Sequence, residues 1–464
     1  MHPKSARPHG AEHHAVEAAQ EAVASTRSGP SRRNVLQGGL AVGVAGAALT
    51  ALGSTSADAA ISTTDSRGPG GPAKVAVIRP YRVRVPRQQV LELRSRVAAT
   101  RWPTKELVSD RSQGVQLAAA QRLARYWGTD YSWSRFEKKI NAVPQFMTTI
   151  DDMDIHFIHV RSRHKNALPL IITHGWPGSF IEMLEVIGPL TNPTAHGGSA
   201  TDAFDLVVPS MPGYGFSGHP VDKGWDAGRM AQTWAALMAR LGYKRWVAQG
   251  GDVGASVTDL LARQAPAGLA GVHFNLLTSA LRGGAQPVVT AEERTAAAAV
   301  AEFSSSGNGY LIEQSTRPQT IGTALADSPM ALAAWMLDHD TDSYNKIARA
   351  FLGGPAAGNL TRDHVLDNIT MYWLTGSGVS AARSYWENAQ ARARAVGQTP
   401  APVKIPVGFS AFPGEILQAP RSWVEQTYPT LAYYNKPARG GHFAAWEEPQ
   451  LFAAEVRAAF RALR

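Results

Sequence analysis

Residues 250–254 read Gly250-Gly251-Asp252-Val253-Gly254, and the reading of this stretch decides the fold. Just before it, Arg245-Trp246-Val247-Ala248-Gln249 has the composition of a short buried strand. Just after it, residues 255–262 have the composition of a helix. A strand, a glycine-crowded turn and a helix make a nucleophile elbow, a sharp turn that holds one side chain up over a sheet. The spacing is glycine, x, nucleophile, x, glycine, filled by Gly250, Asp252 and Gly254. Strand and helix pass too close at such a turn for a Cβ, so glycine is required there. The residue held up is an aspartate, and a carboxylate that attacks carbon makes an alkyl ester. Serine chemistry is therefore excluded at this position. The question becomes which electrophilic carbon Asp252 attacks.

Outward from the elbow, strand and helix patterns alternate. Residues 154–160, 168–173, 204–209, 245–250 and 268–275 read as short apolar strands. Ala227, Met230, Trp234, Leu237 and Leu241 recur at helical spacing over residues 227–241. This alternation predicts an α/β fold with a mostly parallel, doubly wound central sheet. Residues 276–398 break the pattern. Helical stretches at 290–303, 330–338, 362–374 and 381–396 predict a helical lid inserted there. Strands resume at 405–412 and 430–435, and a helix over 449–463 closes the chain. On the amino-terminal side, residues 74–152 read as a helical and extended domain rich in Trp and Tyr. It comprises an edge strand or arm at 75–85, helices from Pro86, over 114–127 and over 133–140, and a loop at 141–148.

The first 73 residues do not read as part of this fold. His2, His9, His13 and His14 lie in a polar leader with no partner ligand spacing, so a metal site is not expected there. Ser31-Arg32-Arg33-Asn34-Val35-Leu36 precedes an uncharged Gly/Ala/Val/Leu run over 38–52, and Ala57-Asp58-Ala59 supplies small residues at a cleavage spacing. These are the three parts of a twin-arginine export signal. The run is short and weakly apolar for a membrane anchor. The expected division is therefore a leader and signal over 1–59, a linker over 60–73 and the amino-terminal domain over 74–152. The first core half spans 153–275, the lid 276–398 and the second core half 399–464. The chain has no cysteine, which excludes disulfides, thiolate zinc sites and thiol catalysis. The net charge of +9 over 464 residues is scattered, which argues against a nucleic-acid partner.

In an α/β-hydrolase fold the nucleophile, the acid and the histidine follow in that order. The last histidine after Asp252 is His442, in Gly440-Gly441-His442-Phe443, placed by a glycine-rich loop after a strand. Its acid partner is expected just past the preceding strand. Glu415 in Phe412-Pro413-Gly414-Glu415 fits, with Glu425, Glu447 and Glu448 as competitors. Thr173-His174-Gly175-Trp176-Pro177-Gly178 reads as the oxyanion loop, with the backbone N–H groups of Trp176 and Val253 as donors. One such donor is worth about 3 kcal/mol of barrier. His174 sits in the turn itself, where a structural role is expected.

These motifs together resemble the microsomal-type epoxide hydrolases of the α/β-hydrolase superfamily over about residues 75–460. The resemblance is carried by Val143-Pro144-Gln145-Phe146, Asp154-Ile155-His156-Phe157-Ile158-His159, His174-Gly175-Trp176-Pro177-Gly178-Ser179, Gly250-Gly251-Asp252, Phe412-Pro413-Gly414-Glu415 and Gly440-Gly441-His442-Phe443. It implies a small-molecule epoxide and water as substrates, a vicinal diol as product, a role in detoxification, and no cofactor or metal. It also implies that two lid tyrosines donate hydrogen bonds to the epoxide oxygen. Tyr310 in Asn308-Gly309-Tyr310 and Tyr385 in Arg383-Ser384-Tyr385 match those motifs. A phenol with a pKa of about 10 stays protonated at neutral pH yet can protonate a forming alkoxide. Relatives commonly carry Trp after the nucleophile, and this chain has Val253, which makes the pocket wall smaller there. A second departure is the export signal in place of the namesakes' membrane anchor, which implies a secreted or cell-envelope enzyme with no stable membrane span after cleavage. The alternatives are a haloalkane dehalogenase with the same Asp–His–acid logic, or a secreted non-catalytic binding protein on the same scaffold. The first needs an indole donor that Val253 cannot supply, and the second needs the loss of a catalytic group. Trp335, Trp373 and Trp386 suggest an apolar pocket, although aromatics on helices are more often plain core.

Overall fold

The computed structural model describes residues 77–282, 284 and 286–464. The export signal and linker expected over residues 1–73 lie outside the described residues. Nine strands form one sheet: β1 (Arg79–Pro80), β2 (Gln145–Ile150), β3 (Met153–Val160), β4 (Leu168–Thr173), β5 (Phe204–Pro209), β6 (Trp246–Gly250), β7 (Leu269–Phe274), β8 (Val407–Ser410) and β9 (Leu431–Asn435). Their spatial order is β1-β2-β3-β5-β4-β6-β7-β8-β9. The run β5-β4-β6-β7-β8-β9 is parallel, and β1-β2-β3-β5 pair antiparallel. Every residue of β6 is buried, as expected of a central parallel strand covered on both faces. The α/β expectation holds, with an antiparallel flank added.

In that flank, residues 141–148 are not the loop that their sequence suggests. β2 begins at Gln145 and pairs with β3 along its whole length. Two of its buried positions are the polar residues Gln145 and Thr148, so its burial does not show as an apolar run. Asp151 and Asp152 join β2 to β3 with φ of 50° and 60°. Positive φ at both central residues is what a two-residue hairpin turn needs to match strand twist.

The elbow is built from close approach. Asp252 has φ of 50°, in the left-handed region that a non-glycine residue enters at a cost of roughly 1–2 kcal/mol. A Cβ on Gly250 would overlap the Gly254 carbonyl oxygen, and one on Gly254 would overlap that of Thr173. The helix Asp252–Gln264 thus lies directly against the ends of β4 and β6, and helix Ala227–Arg240 packs beside it.

Between β7 and β8 the chain is helical, as expected. Three of these helices, Gly309–Thr316, Pro318–Asp327 and Thr341–Leu352, lie outside the helical stretches expected from the sequence. The first two are short and set off by Arg317-Pro318 and Ser328-Pro329, so their periodicity is interrupted. Thr341–Leu352 instead carries Tyr344, Ile347, Ala348 and Phe351 at helical spacing after the capping residue Asp340. Among the described residues no helix is long and apolar enough to cross a membrane.

Candidate active site

The parallel strands deliver their following loops to one edge of the sheet. Thr173 at the end of β4 pairs with Gly250 at the end of β6, so the loop after β4 and the elbow after β6 emerge side by side. A Cβ on Gly175 would stand 2.5 Å from the Asp252 Cβ, so glycine lets the loop reach the carboxylate. There the Trp176 N–H donates to Asp252 Oδ1 at 2.9 Å. The Val253 N–H lies in the first turn of the elbow helix, where no intrahelical acceptor exists. His174 ties the loop down. The Met211 N–H donates to its Nε2 at 3.2 Å, which leaves Nδ1–H to donate to the Gly175 carbonyl at 2.9 Å.

The loops after β8 and β9 are joined by a bridge between Gly414 and Gly441. This brings Glu415 to His442, whose Nδ1 lies 2.7 Å from Glu415 Oε1. The far ring nitrogen, Nε2, lies 4.0 Å from Asp252 Oδ2. Burial alone would lower the pKa of His442. The charge and hydrogen bond of Glu415, with Asp252 and Asp340, override it and raise the value to about 10. The competing acids are engaged elsewhere: Glu425 with Arg421 at 2.7 Å, Glu447 with Lys346 at 2.5 Å and Glu448 with Arg439 at 3.3 Å.

Tyr310 and Tyr385 come from the inserted helices and meet at the oxyanion loop. The Tyr310 ring stacks on Trp176 at 5.0 Å, and Tyr385 meets Trp176 edge-on at 5.9 Å. Their own ring centroids are 6.2 Å apart. Burial first, and then the Asp252 charge, push both phenols well above their ordinary pKa, so both remain hydrogen-bond donors. Trp386 does not join this group. It lines a separate cleft of about 580 Å³ with Trp225, Arg317 and Arg383.

Three further groups at the site belong to no motif in the sequence. Glu182 is buried, and burial raises its carboxyl pKa to about 8. It lines a cavity of about 20 Å³ together with Asp252, His442, Gln249 and Asn275. That volume holds about one water. His339 and its neighbour Asp340 are also buried, with His339 Nε2 3.9 Å from Asp252 Oδ2. The adjacent His-Asp pair between two helical patterns is the one available signal for these two. Donor atoms of Asp252, His339 and His442 lie within 4.8 Å of one another.

An aspartate elbow after β6, an acid after β8 and a histidine after β9, beneath inserted helices, define an α/β-hydrolase with a carboxylate nucleophile position. Comparison with known proteins agrees. Residues 78–183 match the family model "Epoxide hydrolase N terminus", and residues 169–316 match that of the alpha/beta hydrolase fold. A Stigmatella aurantiaca protein named "Putative epoxide hydrolase" is 50% identical over 83% of this chain and 86% of its own length. Epoxide hydrolase 1 of Sus scrofa is 34% identical over 84% of this chain and 90% of its own. The juvenile hormone epoxide hydrolase structure from Bombyx mori superposes with a TM-score of 0.73 at 30% identity, covering 84% of this chain and 96% of that one. The chain belongs to the epoxide hydrolase family of the α/β-hydrolase superfamily.

Proposed function

We propose that this epoxide hydrolase works through a covalent ester of Asp252. The observation that carries the reading is the unequal setting of the two carboxylate oxygens. Oδ1 accepts the Trp176 N–H at 2.9 Å, while Oδ2 faces His442 Nε2 at 4.0 Å. Oδ2 attacks an epoxide carbon, and the C–O bond breaks as Tyr310 and Tyr385 polarise and protonate the oxygen. The ester then has its carbonyl oxygen at the Trp176 and Val253 amides. The Asp252 charge helps hold the His442 proton, so its loss on alkylation lowers the pKa of His442 and frees Nε2 as a base. His442, oriented by Glu415, deprotonates a water that attacks the Asp252 carbonyl carbon. The one-water cavity between His442, Asp252 and Glu182 is where that water would sit. The vicinal diol leaves. Haloalkane dehalogenation is the weaker reading, because Val253 offers no indole N–H and a halide needs no protonating phenols.

Single turnover in heavy-oxygen water is expected to place label in the Asp252 side chain, read by mass spectrometry of the peptide. Label found only in the diol overturns the ester mechanism. We also propose export by the twin-arginine signal around Arg32-Arg33 and cleavage after Ala59. Amino-terminal sequencing of the mature protein should begin at Ala60. Recovery of the full-length chain in the membrane fraction would instead mean a retained anchor.

A further inference from the structure

Asp252 Oδ2 is flanked by two imidazoles rather than one. His442 Nε2 lies 4.0 Å away and His339 Nε2 3.9 Å away. Each ring is held from behind by its own carboxylate: His442 Nδ1 by Glu415 at 2.7 Å, and His339 Nδ1 by Asp340 at 3.0 Å. A carboxylate at Nδ1 fixes the tautomer that presents Nε2 as a base. The second pair is built firmly. Asp340 caps the helix Thr341–Leu352, its Oδ1 accepting the Ser343 N–H at 2.8 Å while Oδ2 serves His339. His339 is 2% exposed, and among the described residues its Nε2 has no hydrogen-bond partner. A buried ring nitrogen left unpaired is costly, and such groups call for a specific reason. The ring position supplies one. Its centroid is 4.4 Å from that of His442 and 4.8 Å from that of Tyr310, so it touches both the base and one of the acids of the reaction.

We propose that His339, held by Asp340, is a second proton-carrying imidazole that passes a proton between His442 and Tyr310. The inference rests on the ester mechanism above. The relay starts from one proton on the imidazole pair, the proton that the surroundings of His442 favour. As Oδ2 bonds to carbon and the epoxide C–O bond breaks, Tyr310 gives its proton to the oxygen and takes one from His339. Both imidazoles are then neutral. In the second half, His442 takes a proton from water as hydroxide adds to the ester carbonyl. Collapse breaks the ester C–O bond, and that proton goes to the departing alkoxide. The carboxylic acid left on Asp252 returns its proton to the imidazole pair. Epoxide and water become diol, and the resting charges are restored.

The charged and titratable groups that face His339 come from several elements. Asp340 lies on its own segment, Asp252 on the elbow, and His442 with Glu415 on the closing loops. Tyr310 and Tyr385 come from the inserted helices, where Arg282 also acts on both phenols. Burial opposes ionisation of Asp340, but the His339 hydrogen bond and the charges of His339 and His442 hold its carboxyl below the usual range.

The test is rapid-quench single turnover with styrene oxide from pH 6 to 10, separating alkylation from ester hydrolysis. His339→Gln should alkylate on the order of 100-fold more slowly, as loss of acid–base assistance predicts. Added imidazole should restore part of that rate in His339→Ala. A folded His339→Gln whose alkylation stays within about twofold of wild type at every pH overturns the relay. If His339→Gln does not fold, Asp340→Asn decides. It keeps the ring but removes its counter-charge, so the pH above which alkylation declines should move down. An unmoved limb overturns the proposal. A wild-type enzyme that forms no ester sinks the mechanism beneath it, and the relay with it.

Discussion

Asp252→Asn is expected to lower kcat by roughly 10⁴- to 10⁶-fold, the scale of losing a covalent nucleophile, and to leave the fold intact. The amide cannot attack an epoxide carbon. It matches the carboxylate in shape, and its Oδ1 can still accept the Trp176 N–H that holds the wild-type side chain at 2.9 Å. Asparagine also tolerates the φ of 50° at this position as few residues do. The substitution therefore separates chemistry from architecture. Diol formation and thermal unfolding of the same preparation check it. A variant retaining more than about 1% of wild-type kcat would remove Asp252 as the nucleophile.

The second large effect is expected from His442→Gln, and it falls on one half of the reaction. The variant should alkylate once and stall, with hydrolysis slowed on the order of 10³-fold by loss of the base. Intact-mass measurement should show the protein carrying one epoxide equivalent that persists. In the wild type the sign of the pH dependence follows from the charges around the ring. Burial favours the neutral imidazole, but Glu415 and Asp252 favour the cation more, and the resting pKa is about 10. The ring is thus protonated at neutral pH before turnover. Esterification neutralises Asp252, and the pKa falls. Wild-type ester hydrolysis should rise with pH through a value below about 10, and the residual hydrolysis of His442→Gln should lose that limb. Rapid diol release by the variant would take the role away from His442.

Several parts of this site are legible in the amino-acid sequence alone. Asp252, Glu415 and His442 each follow a strand, and the order of the three along the chain is enough to nominate them. Glu415 is one of several acids in that region. What separates it from Glu447 is a lysine, Lys346, that only long-range packing brings to Glu447. The short helix carrying Tyr310 does not show in the hydrophobic pattern, and Tyr310 itself is found through resemblance rather than spacing. Trp386 is an aromatic residue of the insertion and so a natural candidate for the pocket, but its helix face turns it to another cleft. β2 is masked because polar residues occupy buried positions in it.

Local sequence dictates the elbow, the mainly parallel strands around it and the order in which the reacting groups are presented. These follow from short-range sterics: glycine where backbones nearly touch, apolar alternation where strands are covered, loops where strands end. Which side chains share a carboxylate is a matter of long-range packing. Glu182, His339 and Asp340 come to Asp252 from distant segments, and no local pattern encodes that meeting. It is set by packing the inserted helices over the sheet edge, where burial makes each charge depend on the partner that the fold places beside it.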